Sequence, residues 1–187
     1  GRLRALPEKG FVASCAPVMK KRVDLPEKKY EGYIFDLDGT LVDSMPLHYK
    51  AWRKALARAG APARVFLADE FYSCGGKSAN DVVRFLNERY GMHMDAASTA
   101  ADKRRIYLEM LEEEGMQPIR EVVEFVHSLG DAPKAIATGS AMPGASRTLA
   151  AAGLSGLFDV ILTPDEVEHG KPAPDMCLKA AELLGAS

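Results

Sequence analysis

No uninterrupted apolar run approaches the roughly 18 residues that a membrane-spanning helix needs, so no membrane partner is expected. Cysteine is scarce. Cys15, Cys74 and Cys177 are odd in number, far apart and form no Cys-x-x-Cys pair. That excludes a disulfide framework or a zinc knuckle and suits a reducing, cytoplasmic compartment. The four histidines, His48, His93, His127 and His169, never fall at i, i+4, which excludes a zinc-protease helix. Net charge is only −2, so there is no electrostatic reason to expect nucleic acid. No internal repeat or low-complexity tract is present.

What remains is an ordinary globular composition. The 187 residues are 47% hydrophobic and 27% charged. This is enough for one packed domain, or one domain with a modest insertion, and it excludes overall disorder. Charge is uneven along the chain. Residues 1–30 hold eight Lys/Arg against three acids, an excess of five positive charges, which leaves −7 for residues 31–187. With Pro7, Pro17 and Pro26 and no periodicity, residues 1–30 read as a poorly ordered basic arm. Val12-Ala13-Ser14-Cys15 faintly resembles a lipoprotein cleavage box, but Pro7-Glu8-Lys9-Gly10 sits where an apolar export segment belongs. Met19, ahead of a basic run, is a candidate natural start.

Tyr33-Ile34-Phe35 is a short run of β-formers and reads as a buried strand ending at Asp36. Ser44 is a candidate N-cap for a helix running to Gly60, with Pro46 in its first turn. Helices are expected over 66–73, over 79–90 with Ser78 as cap and Gly91 as stop, over 95–115, and over 118–129. Then the pattern changes to strand 134–138, helix 147–152, strand 159–163 and helix 174–184. This order predicts an α/β fold with a doubly wound parallel sheet. About a hundred residues separate the first two strands, far more than the dozen or so a crossover requires. The economical organisation is a core of residues 31–46 and 116–187, with a helical cap over 47–115 hung above the strand ends, where lids belong.

Three polar groups follow the three predicted strands. Asp36-Leu37-Asp38-Gly39-Thr40 places two carboxylates after a buried strand, which is costly unless they bind something. With a divalent cation between it and a phosphate, one Asp can act as nucleophile and the other as acid/base. Backbone N–H groups at Gly39-Thr40 suit phosphate oxygens. An EF-hand is excluded because Gly39 directly follows the second Asp. The second group is Thr138-Gly139-Ser140, which alone reads better as an ordinary turn. The third is Lys171-Pro172-Ala173-Pro174-Asp175, whose prolines stiffen the chain about a lysine that alone reads as a surface residue. Their convergence on one sheet edge is what points to chemistry.

Phe35-Asp36-Leu37-Asp38-Gly39-Thr40-Leu41-Val42-Asp43-Ser44 resembles the signature of the haloacid dehalogenase-like phosphatase superfamily. Thr138 and Lys171 resemble its second and third motifs, and the resemblance covers residues 31–187. Leu47-His48 followed by Ala51-Trp52, together with Lys171-Pro172-Ala173-Pro174-Asp175, is similar to the β-phosphoglucomutase and sugar-phosphatase branch. The resemblance implies that Asp36 is nucleophile and Mg²⁺ ligand. It makes Asp38 the acid/base, with its main-chain carbonyl on the metal, and gives the transferring phosphoryl group to Thr138 and Lys171. His48 falls at the core–cap hinge. Gly39, Thr40, Ser44, His48, Gly75, Lys77, Ser78, Gly139 and Ser140 are the further substrate- and phosphate-binding candidates. Asp38 argues against a dehalogenase. Thr40 and Ser78, the latter standing where the mutases carry Arg, favour a phosphatase over a phosphosugar mutase. The partner expected is a small phosphorylated metabolite, a sugar phosphate, acted on by a monomer.

Other features read blandly. Gly75-Gly76-Lys77-Ser78 ends like a P-loop but lacks the first glycine, at Phe71, and a preceding strand. Met92 and Met94 read as cap packing, and His127, His169 and Glu112-Glu113-Glu114 as surface. Trp52 reads as core that could also line the substrate cavity. The family's fourth motif, acids after a fourth strand, has no place before Ser187. The expectation is therefore a C-terminally truncated chain with weak Mg²⁺ binding, low or absent activity and an open edge on its first strand.

Overall fold

The computed structural model describes residues 30–186; the basic arm expected over 1–30 lies, apart from Tyr30, outside them. Three short parallel strands form one sheet in the order β1-β2-β3: β1 Tyr33–Phe35, β2 Lys134–Ala137 and β3 Val160–Leu162. Period-two alternation sorts their side chains onto two faces. Phe35, Ile136 and Ile161 lie in register and pack into the larger core cluster, with Val126 and Leu149. Ala135, Val160 and Leu162 face the other way, toward Ala180 and Leu184. Helices therefore cover both faces, as the doubly wound reading requires. The central strand β2 is buried at every residue.

Helices α1 Met45–Arg58, α2 Ala68–Ser73, α3 Ala79–Tyr90 and α4 Ala96–Glu114 lie between β1 and α5 Arg120–Ser128. After β2 come α6 Met142–Ala151 and, beyond β3, α7 Asp175–Leu183. Capping chemistry sets several boundaries. Ser78 accepts from the Asp81 N–H, and Gly91 ends α3 at φ 61°. Asp95 accepts from the Ser98 N–H at the start of α4. Thr163 and Glu166 form a reciprocal capping box around a short 3₁₀ turn after β3.

Two expectations need correction. Ser44 stands at the N-cap position of α1 but makes no capping bond; its hydroxyl is used elsewhere. Helix α6 begins at Met142 rather than 147, because Ala141 turns extended and Pro143 fits the first turn despite Gly144. The second hydrophobic cluster, which includes Trp52, Phe66, Phe71, Val83 and Leu86, is built from α1, α2, α3 and their connections. The first cluster joins α1 and α4, through Leu47, Ala51, Ile106 and Met110, to the sheet. Among the described residues, no helix is long and apolar enough to cross a membrane.

Candidate active site

The loop after β1 is tightly wound. The carbonyl of Leu37 accepts from the N–H groups of Thr40, Leu41 and Val42, and Leu37, Leu41 and Val42 are wholly buried. These apolar anchors hold the two aspartates between them and the sheet edge. Asp36 is about one-third exposed at 35%. Its Oδ1 accepts from the Leu37 N–H at 2.8 Å and pairs with Lys171 Nζ at 3.1 Å. Lys171 also donates to the carbonyl of Ala137, the last residue of β2, at 2.9 Å. The lysine thus ties the nucleophile candidate to the end of the neighbouring strand.

Asp38 is surrounded by donors. Oδ1 accepts from Ser44 Oγ at 2.6 Å and His48 Nε2 at 2.9 Å, and Oδ2 from Ser140 Oγ at 2.6 Å. Thr138 Oγ1 stands 3.5 Å away and accepts from the Ser140 N–H. Burial opposes the charge on Asp38, but the hydrogen bonds from His48, Ser140 and Ser44 outweigh it. The carboxyl is held well below its usual range.

Behind Asp38 runs a buried chain in which the sequence points to His48 and Trp52 but not to Lys103, Tyr107 or Thr148. His48 Nδ1 lies 2.6 Å from Lys103 Nζ. The imidazole stacks on Tyr107, centroids 4.1 Å apart and planes 3° from parallel. Lys103 sits 5.6 Å from the Trp52 ring and 5.2 Å from the Tyr107 ring, within cation–π range. Tyr107 in turn bonds Thr148 at 2.8 Å. An ammonium has no acceptor, so Nδ1 receives its hydrogen and Nε2–H donates to Asp38. His48 is therefore neutral. Burial is the main cause of its lowered pKa, and the Lys103 charge lowers it further, against the pull of Asp38. Burial also lowers Lys103, to about 8, despite Asp38.

A cavity of about 450 Å³ opens over these groups. Asp36, Asp38, His48, Gly139 and Ser140 line it from below; Gly75, Lys77, Ser78 and Asn80 line it from the other side, with Trp52 and Phe66 as apolar wall. Of the other candidates, Gly39 is exposed and Thr40 half-buried in the turn past Asp38, neither lining the cavity. Ser44 and Thr138 are fully buried beneath it. His169 is exposed and pairs with Asp175. The two loops meet backbone to backbone: a Cβ added to Gly139 would lie 2.4 Å from the carbonyl oxygen of Gly76. Gly76 itself, at φ +82°, sits against the Lys171 side chain.

Paired aspartates, a lysine and two hydroxyls gathered at one edge of a parallel sheet suit a hydrolase built on an α/β fold. The chain belongs to the haloacid dehalogenase-like hydrolase family, whose model matches residues 30–187. This agrees with the resemblance read from the first motif. It is 33% identical over 84% of its length to fructose-1-phosphate phosphatase YqaB of Escherichia coli (strain K12), covering 82% of that protein. It is 32% identical over 91% of its length to a β-phosphoglucomutase of Mycobacterium bovis, covering 75% of that protein. Among solved structures, a hydrolase from Pseudomonas syringae superposes with TM-score 0.74 at 30% identity, over 83% of this chain and 71% of that one.

Proposed function

We propose that the chain hydrolyses the phosphoric monoester of a small sugar or polyol phosphate in the cytoplasm, with Asp36 as nucleophile. The observation that carries this reading is the contrast between the two aspartates. The bonds to Asp36 fall on Oδ1, and the carboxylate is a third exposed at the cavity. Asp38 is enclosed by three donors. The open carboxylate attacks phosphorus; the enclosed one handles protons.

Attack by Asp36 forms the O–P bond of an aspartyl-phosphate as the sugar oxygen leaves and takes a proton. Asp38 stands at the place to give that proton, and an arriving phosphate dianion raises its proton affinity. In the second half-reaction Asp38 removes a proton from the water that attacks the aspartyl-phosphate, restoring Asp36. Its bias to the anion suits Asp38 to this second step. Lys171 offsets negative charge between Asp36 and the phosphoryl oxygens. Gly139 and Ser140 line the same cavity.

Mg²⁺ belongs to this reading. Among the described residues no three His, Cys, Asp or Glu gather into a metal cage. Mg²⁺ is typically held by one or two carboxylates with water and phosphate oxygens, so the Asp36 carboxylate and the Asp38 main-chain carbonyl fit it. When bound, the ion supplies charge neutralisation at the phosphoryl group. We also take residues 47–115 as a cap over a core of 31–46 and 116–187, a division supported by the separate cluster around Phe66 and Leu86.

The test is phosphate release with Mg²⁺ from a panel that includes fructose 1-phosphate and β-glucose 1-phosphate, with Asp36→Asn as control. Free phosphate that the control fails to release is the expected result. Glucose 6-phosphate formed from β-glucose 1-phosphate without free phosphate would establish the mutase reading instead. Undiminished turnover by Asp36→Asn would overturn the nucleophile assignment.

A further inference from the structure

Among the described residues, two buried side-chain oxygens have no hydrogen-bond partner, Glu70 Oε1 and Asn80 Oδ1. Glu70 is accounted for, since its Oε1 lies 2.7 Å from Arg89 Nε in an ion pair. Asn80 has no such account. It lies in the first turn of α3, where its neighbours satisfy one another. Ser78 Oγ donates to Asp81 Oδ2 at 2.6 Å and accepts from the Asp81 N–H, and Arg84 donates to Asp81 Oδ1 at 2.8 Å. Asn80 is left out of this network, and it lines the catalytic cavity.

A buried acceptor without a donor carries its full desolvation cost, and in a native structure such a group calls for a reason. The location supplies one. We infer that Asn80 is a substrate-specificity residue, whose amide turns toward the cavity and hydrogen-bonds a hydroxyl on the part of the substrate remote from the phosphate. This rests on the sugar-phosphate reading and narrows it. An amide both accepts and donates, as a hydroxyl does, so the two are complementary. A second phosphate is a poor match to the unpaired oxygen, because a phosphate dianion has no hydrogen to give. The selected class is therefore a phosphate ester with a neutral polyol end. With Trp52 and Phe66 as apolar wall, one well-placed amide is the usual way such a pocket fixes orientation.

The protein carries a single tryptophan, Trp52, and it lines the cavity. Its fluorescence therefore reports binding without turnover. In an Asp36→Asn background, fructose 1-phosphate and methyl phosphate are titrated against Asn80 and Asn80→Leu proteins. The expected result is about tenfold weaker binding of fructose 1-phosphate by Asn80→Leu, from loss of one hydrogen bond to a site that provides it, with methyl phosphate changed less than about twofold. The thermal midpoint of Asn80→Leu should not fall, since no bond within the protein is lost. Equal weakening of both ligands, no weakening of either, or a large drop in midpoint would overturn the assignment. If neither ligand binds the Asn80 protein and wild type releases phosphate from neither, the sugar-phosphate reading itself has failed. Binding and hydrolysis without an Asn80 effect sink only the specificity assignment.

Discussion

Lys103→Met tests the buried chain behind Asp38. Lys103 is only 8% exposed, beneath Trp52 and Tyr107. Burial lowers its pKa from 10.5 to about 8. A depressed lysine means that the folded state sheds its proton before the unfolded state does. Between pH 8 and 10.5 the unfolded chain binds more protons, so the Lys103 contribution to stability rises with pH across that window. Below pH 8 both states are charged, and the fold carries the cost of the buried ammonium. At 1.36 kcal/mol per pKa unit, the whole window is worth about 3 kcal/mol, of which about 2 kcal/mol is reached by pH 10. Urea unfolding of wild type and Lys103→Met at pH 7.5 and 10 isolates this term, since other titrating groups are shared. Wild type should gain about 2 kcal/mol on the variant over that interval. The variant also removes the donor to His48 Nδ1, so the imidazole loses the contact that fixes its tautomer. Phosphate release by the variant should fall about 10- to 100-fold in kcat, with KM little changed. Parallel pH dependence of the two proteins would refute the buried-ammonium reasoning, and unchanged kcat would refute the link to Asp38.

Three further substitutions probe neighbouring contacts. Gly139→Ala places a methyl group where the Gly76 carbonyl oxygen stands 2.4 Å away. Backbone cannot yield as a flexible side chain would, so the 75–78 loop should back away and KM should rise about tenfold, with a shift of under about 1 kcal/mol in unfolding free energy. Ser44→Ala removes a 2.6 Å bond to the Asp38 carboxylate; stability should drop by about 2 kcal/mol, as for other bonds to charged groups. One of the bonds that depresses Asp38 is then gone, so its pKa rises. Tyr107→Phe loses the buried bond to Thr148 but keeps the stack on His48; about 1 kcal/mol of stability should go, with kcat nearly unchanged.

The legible parts of this protein are those whose physics is local. Tyr33–Phe35 announces a strand by β-formers alone, and Ser78 and Gly91 bound α3 by capping chemistry that acts within a turn. The same locality explains Ser44. Its position before Pro46 suits an N-cap, and only the folded-back Asp38 loop shows that the hydroxyl is taken. Lys103 was hidden for the opposite reason, since its partner His48 lies 55 residues away on another helix. A signal for it existed. Thr99, Lys103, Ile106, Tyr107 and Met110 recur at helical spacing and are all buried, so the lysine stands on the inward stripe of α4. A cation on an apolar face is expensive unless something compensates it. Read that way, Lys103 asks for a partner from the sequence alone, and an acceptor on a facing helix is the natural one. That question about α4 leads back to His48 on α1, and from His48 to the enclosed aspartate whose proton the proposed reaction moves.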